Sequence, residues 1–186
     1  MRLLETTLKI PHIHHNSIRE GVTVHRGAKN EGMTRINNHT MLMANSHVGH
    51  DSIVGDHSIL ANNVMLGGHV TVGKRVFLGG GAGLHQFVNV GDYAMSKGNS
   101  SISQDLPPYC VCAESNSLKG LNVIGLKRAG FSPAERKEIK TLYTLLFRSG
   151  KNLSEAILEA DQNSWSKGAS LLLNAVKNPS KKHVMS

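Results

Sequence analysis

From Ile36 to Met95 the chain keeps a six-residue beat without a slip. An aliphatic residue stands at Ile36, Leu42, Val48, Val54, Leu60, Leu66, Val72, Leu78, Leu84 and Val90. Four places after each comes a small or β-branched residue: Thr40, Ser46, Ser52, Ser58, Val64, Val70, Val76, Ala82, Val88 and Ala94. A fixed hexapeptide period is the signature of a parallel β-helix, in which every hexad supplies one short strand and one tight turn, and the left-handed parallel β-helix is the form expected here. Three hexads then complete one triangular coil, so residues eighteen apart stack on the same face, about 4.8 Å from each other. The aliphatic position points inward, and the small residues fit the cramped corner region. Gly49, Gly55, Gly67, Gly73, Gly79 and Gly91 directly follow aliphatic positions. They are expected to serve the turns through glycine's tolerance of positive φ.

A chain of 186 residues has room for one solenoid and a small appendix, with no second catalytic domain. The 4% aromatic content suits a prism filled by Val, Ile, Leu and Met. The formal charge of +8 favours an acidic partner or an anionic substrate. Nucleic acid is not the expected partner, because the basic residues are not interleaved with aromatics and form no known binding motif. Cys110 and Cys112 lie too close together to close a useful loop and lack a second pair for zinc. Reduced thiols in a cytoplasmic protein are expected. No stretch approaches the roughly 20 apolar residues that span a bilayer, and no signal-peptide core opens the chain, so neither membrane insertion nor export is expected.

The β-helix is expected over residues 1–109, with a loop excursion over 26–35 where Gly27, Gly32 and polar residues break the beat. The cluster Pro11-His12-Ile13-His14-His15 lacks a Cys, Asp or Glu to complete a ligand set and reads as a solvated turn. Leu106-Pro107-Pro108-Tyr109 is expected to end the solenoid, since proline cannot donate to a strand ladder. A linker over 110–130 follows, then helices over 131–180. Ser132-Pro133 with Glu135 marks a helix start, and Ile139, Leu142, Tyr143 and Leu146 keep helical spacing up to Ser149-Gly150. A second helix is expected from Ser154 and a third from near Trp165 or Ser166 through Leu171, Leu172 and Val176. The tail over 181–186 is expected to be mobile.

Val48, Leu66 and Leu84 are eighteen apart and share a face, so His50, His69 and His85 are expected to stack along one wall, with His47 at the corner before it. Neutral imidazoles beside the Gly67-Gly68 pair can take a proton from a hydroxyl while a backbone N–H receives an oxyanion. His39 and His57 read as turn or surface residues.

Several segments carry a family resemblance. They are Ile18 through Gly27, Asn45-Ser46-His47-Val48-Gly49-His50-Asp51, Leu66-Gly67-Gly68-His69-Val70, Gly83-Leu84-His85-Gln86-Phe87, Gln104 through Tyr109, and Gly125-Leu126-Lys127-Arg128. In colinear order over nearly the whole chain they resemble the bacterial UDP-N-acetylglucosamine O-acyltransferase family, which begins lipid A synthesis. The His-x-x-His-Asp element separates this family from acetyltransferases and N-acyltransferases that share only the hexad beat.

The resemblance implies transfer of an R-3-hydroxyacyl chain from acyl carrier protein to the 3-hydroxyl of UDP-N-acetylglucosamine, with no metal or cofactor. It implies a homotrimer with sites at subunit interfaces. His50 matches the general base, Asp51 the carboxylate that orients it, and Gly68 the backbone amide that receives the oxyanion. His47, His69, His85 and Gln86 match positions lining the sugar and acyl pocket, and Asn122 and Arg128 match positions that grip the nucleotide diphosphate. Gly98 matches the floor that measures acyl length; an ordinary turn glycine is the other reading of it. The family opens with further coils before the point that Met1 matches, Ile124 stands where an acidic residue is usual, and Ala129 stands where a second arginine often follows. Two alternatives stay open: a homologue that binds carrier protein or nucleotide sugar without turnover, and a transferase using acetyl-coenzyme A. Lys127, Arg128, Lys137, Lys140, Arg148 and Lys151 concentrate near the helical end, as a docking surface for an acidic carrier protein or as a solvated face.

Overall fold

The computed structural model describes residues 15–29 and 32–185. Most of the histidine cluster at 11–15 lies outside the described residues. The described chain forms a left-handed parallel β-helix, a triangular prism of two-residue strands, with four helices at one end. The first face runs through Ser17–Ile18, Met41–Leu42, Ile59–Leu60, Phe77–Leu78 and Met95–Ser96. The second runs through Thr23–Val24, His47–Val48, Met65–Leu66, Gly83–Leu84 and Ser101–Ile102. The third runs through Arg35–Ile36, Ile53–Val54, Thr71–Val72 and Asn89–Val90. Within the regular coils the paired residues are eighteen apart, as in His47↔Met65 and Gly83↔Ser101. Every aliphatic position of the beat is buried, and each such Val or Leu contributes about 1.5–3 kcal/mol by leaving water.

The small positions do more than fit a corner. The Ser52 hydroxyl donates to the Gly67 carbonyl at 3.0 Å and accepts from the Val70 N–H at 3.1 Å, and Ser58 repeats the pattern with Gly73 and Val76. Buried backbone groups of the next coil are thereby satisfied.

The glycines after the aliphatic positions have a different role from the expected one. Positive φ falls two residues later, at His39, Asn45, Asp51, His57, Asn63, His69, Arg75, Gly81, Phe87, Tyr93 and Asn99. The glycines are there because adjacent coils approach too closely for a side chain. A Cβ on Gly49 would lie 2.7 Å from the Gly67 carbonyl carbon, and one on Gly55 would lie 2.5 Å from that of Gly73.

The prolines do not end the solenoid. Val90 pairs with Leu106, and Met95–Ser96 with Val111 and Cys112, so the last turn has sixteen residues rather than eighteen. Two residues are missing from the period, which is why the beat fades from the sequence although the coil continues. Cys112 fills an inward position, and both thiols are free and buried. Burial pushes the Cys112 thiol up to about 12 and raises that of Cys110 as well. Residues 110–130, read as a linker, fold into an antiparallel hairpin, Cys110–Ala113 with Ser117–Leu121, and helix α1 (Val123–Arg128).

Helix α2 (Pro133–Arg148) starts with a capping box between Ser132 and Glu135 and buries Ile139, Leu142, Tyr143 and Leu146. Helix α3 (Leu153–Ala160) is capped by Asn152, and α4 (Lys167–Lys177) by Ser166. The buried side of α4 holds Ala169, Leu172, Leu173 and Val176, while Leu171 faces outward. Tyr109 joins helices to prism: it is buried, its ring meets Tyr93 and Phe131, and its hydroxyl donates to the Gly168 carbonyl at 2.9 Å.

The tail is docked. Asp105 pairs in parallel with Val184, the Met185 N–H donates to the Asp105 carbonyl at 3.0 Å, and the Asp105 carboxylate accepts from the Ser180 N–H and hydroxyl. The tail thus adds one more rung to the third face, with Met185 fully buried.

Candidate functional site

The corner between the second and third faces gathers most of the expected site residues. The register places three columns side by side there: Gly49, Gly67 and His85; His50, Gly68 and Gln86; Asp51, His69 and Phe87. The imidazoles therefore share one corner but not one stack, because His50, His69 and His85 are nineteen and sixteen residues apart. His69 meets the edge of the His50 ring at 5.1 Å and lies flat against Phe87 at 4.7 Å. His47 sits on the second face itself, in the strand His47–Val48 rather than at a corner.

His50 Nδ1 lies 2.8 Å from Asp51 Oδ2. A carboxylate only accepts, so Nδ1 carries a proton, and in the neutral ring Nε2 is the nitrogen with the lone pair. The carboxylate is held from two further directions: the Ala28 N–H donates to Oδ2 at 3.0 Å, and His69 Nε2 stands 3.8 Å away. Asp51 titrates below the ordinary carboxylate range, chiefly through the His50 hydrogen bond, then through the Ala28 N–H.

The loop excursion makes this possible. It enlarges the first coil, pairing Thr23 with His47 across 24 residues rather than eighteen, and folds back over Asp51. Glycine is required at both ends of the fold-back. A Cβ on Gly27 would lie 2.1 Å from Gly32, and one on Gly32 would lie 2.2 Å from Asp51 Oδ1.

Gly68 lies one coil beyond His50. Its N–H donates no hydrogen bond among the described residues, and a Cβ there would fall 2.5 Å from His50 Nε2. An unpaired amide and an imidazole nitrogen thus line one cleft, and such a pair can generate an alkoxide and hold an oxyanion.

Two clefts meet at His50. One, of about 470 Å³, is lined by His25, His47, Met65, Gly68, Leu84 and His85 among others; the second, of about 520 Å³, passes Arg26 and Ala28 of the excursion. His47 Nδ1 lies 2.8 Å from the Thr23 hydroxyl, and its ring stands edge-on to His25 at 4.6 Å. Burial, then the neighbouring His25, lower its pKa. Among the described residues, one trio of potential metal ligands lies within 4.8 Å, namely His50, Asp51 and His69.

Gln86 is exposed at the same corner, beyond Gly68. Gly98 occupies the turn between Met95–Ser96 and Ser101–Ile102, at the corner after the first face, above Gly80. Asn122 and Arg128 line neither cleft. Asn122 caps α1, accepting from the Gly125 N–H and donating to the Tyr93 carbonyl, and Arg128 is exposed in the last turn of that helix. Of the basic residues near the helices, Arg148 donates to the Leu118 carbonyl at 2.7 Å and Lys151 pairs with Glu159. Arg136, Lys137 and Lys140 rim an apolar groove between α1 and α2.

Sequence reasoning missed His25, Arg26 and Lys182. Counting eighteen back from His47 lands on Lys29; only the enlarged coil brings Thr23, and hence His25, alongside His47. Lys182 was hidden by a tail without periodicity.

A prism built from hexads, with an imidazole and an unpaired backbone amide at a cleft, places the chain in the hexapeptide-repeat transferase class. The sequence profile of the bacterial transferase hexapeptide (six repeats) matches residues 33–68, and that described as UDP N-acetylglucosamine O-acyltransferase, domain 2, matches residues 105–185. The acyl-[acyl-carrier-protein]–UDP-N-acetylglucosamine O-acyltransferase of Anaeromyxobacter sp. (strain Fw109-5) is 42% identical over 148 residues, which cover 78% of this chain and 58% of that protein. The crystal structure of UDP-N-acetylglucosamine O-acyltransferase from Moraxella catarrhalis superposes with a TM-score of 0.83 at 35% identity, covering 98% of this chain and 73% of that one. The Arabidopsis UDP-N-acetylglucosamine acyltransferase gives a TM-score of 0.85 at 34% identity over 89% of this chain and 60% of its own. This chain belongs to the UDP-N-acetylglucosamine O-acyltransferase family, and it spans about three-fifths of the length of the Anaeromyxobacter and Arabidopsis relatives.

Proposed function

We propose that this chain transfers an R-3-hydroxyacyl group from acyl carrier protein to the 3-hydroxyl of UDP-N-acetylglucosamine, the opening step of lipid A synthesis, in the cytoplasm. The observation that carries the reading is the packing of His50 Nε2 against Gly68, whose amide has no partner among the described residues, with Asp51 holding the far side of the ring. Two clefts meeting at one base suit a reaction of two substrates. His50 Nε2 takes the proton of the sugar hydroxyl as its oxygen attacks the thioester carbonyl. The electron pair of that carbonyl moves to oxygen, where the Gly68 N–H receives it. Collapse of the tetrahedral intermediate expels the thiolate, which recovers the proton from the His50 imidazolium. Each atom and proton is thereby accounted for without a covalent enzyme intermediate.

His47, His69, His85 and Gln86 contact the sugar and acyl chain in this reading, and Gly98 sets how far the chain extends. Asn122 and Arg128 grip the diphosphate from a neighbouring subunit of a homotrimer, which accounts for their absence from the clefts of their own chain. Arg136, Lys137 and Lys140 supply the charge that an acidic carrier protein meets.

The test is mass spectrometry of products from a mixture of carrier-bound R-3-hydroxyacyl chains, acetyl-coenzyme A and UDP-sugars, with His50→Ala alongside. Acylated UDP-N-acetylglucosamine from the carrier thioesters, lost in His50→Ala, is expected. Acetylation from coenzyme A, or no turnover from any thioester, overturns the reading.

A further inference from the structure

The corner that holds the imidazoles is gripped at both ends by segments outside the hexad pattern. The loop excursion supplies Ala28 to Asp51, and the C-terminal tail supplies Lys182 to His85. The second contact has a chemical consequence. Lys182 Nζ lies 3.0 Å from His85 Nδ1. An ammonium has three protons and no lone pair, so it donates, and Nδ1 must be the unprotonated ring nitrogen. The same Nδ1 also lies 3.3 Å from the Gln86 carbonyl, a contact that needs the proton on Nδ1. The two contacts require opposite tautomers of one ring, and the shorter is that with Lys182.

We propose that Lys182 is a positioning residue that fixes His85 in its Nε2–H tautomer, so that this ring offers a hydrogen-bond donor to an acceptor oxygen of the acyl donor. The ring shares its cleft with the exposed side chain of Met65, an apolar contact suited to an acyl chain with few polar atoms. An acceptor-only oxygen on such a chain, the thioester carbonyl above all, gains from an N–H and loses from a bare lone pair.

The tail is built to deliver this lysine. Asp105 fixes Ser180 through both carboxylate oxygens, the Lys182 N–H donates to the Ser180 hydroxyl at 3.0 Å, and Val184 and Met185 continue as a rung on Asp105. Lys182 is thus held on both sides in sequence, and its side chain crosses to the corner. The link to the acyl donor rests on the function proposed above, but the tautomer does not.

The experiment is a long-range 1H–15N correlation spectrum of the histidine-labelled full chain, with the His85 signals assigned by their loss in His85→Gln. Wild-type His85 is expected to show a protonated Nε2 and a bare Nδ1. Lys182→Met is expected to move the ring toward Nδ1–H, bonded to the Gln86 carbonyl, and Lys182→Arg to keep the wild-type pattern. In turnover, Lys182→Met should lower kcat/KM for the carrier-bound acyl donor at least about tenfold, the scale of one hydrogen bond, with kcat falling because that bond strengthens as the carbonyl oxygen gains charge, and Lys182→Arg should restore it. A wild-type ring protonated on Nδ1, or a ring pattern indifferent to Lys182→Met, overturns the proposal. The wild-type spectrum decides even if the variant does not fold. A tautomer shift in a chain without turnover would overturn acyl transfer and leave the positioning role standing.

Discussion

A methyl group on Gly68 would stand 2.5 Å from His50 Nε2, closer than any unbonded contact allows. A side chain on Gly68 would thus close the approach to that nitrogen. Alanine keeps its backbone N–H, so the loss in Gly68→Ala comes from the blocked imidazole, and kcat should fall by about the 10²–10⁴ that general-base catalysis contributes. The expected outcome is a folded protein, by circular dichroism, with little turnover; near-normal turnover would remove His50 Nε2 from the reaction.

Asp51→Asn keeps the shape of the side chain but gives His50 an amide in place of a carboxylate, which no longer stabilises the imidazolium. General-base catalysis contributes about 10²–10⁴, and kcat should fall within that range with little change in KM. The variant also has a stability signature. The folded pKa of Asp51 lies below its usual 3.8, so the unfolded state takes up the proton first as pH falls. Its stabilisation is present above that value and is lost as pH drops through the folded value. Urea midpoints of wild type and Asp51→Asn should differ at neutral pH and converge in acid.

His47 gives a second window. Its folded pKa is lowered by burial and by His25, so below the ordinary 6.5 the unfolded state binds a proton that the folded state refuses. Stability should therefore fall as pH drops from 6.5 toward the folded value. His47→Gln should flatten that part of a Tm-against-pH curve, and parallel curves would contradict the assignment.

Gly55→Ala places a Cβ 2.5 Å from the Gly73 carbonyl carbon, with backbone rather than a flexible side chain in the way. Overpacking of this kind costs about 1–3 kcal/mol. A fall in urea midpoint at constant slope measures it.

Gly98 faces only the Gly80 carbonyl, which a methyl group at this position would meet at 3.2 Å, so its turn has room outward. If it sets acyl length, Gly98→Met should shift the product distribution by mass spectrometry toward shorter chains. An unchanged distribution would make it an ordinary turn residue.

The hexad beat by itself determined the prism, its buried column and the shared corner of His50, Gly68, His69 and His85, because a solenoid turns sequence distance directly into height. The caps and buried stripe of α2 were equally legible, since helix ends and faces are local. Tertiary structure alone decided what happens where the period changes length. The enlarged first coil brings His25 to His47 and Ala28 to Asp51. The shortened last coil hides a rung behind two prolines, and a tail without pattern places Lys182 on His85. Those contacts depend on where a loop returns in space, and a ruler of fixed period measures only while the period holds.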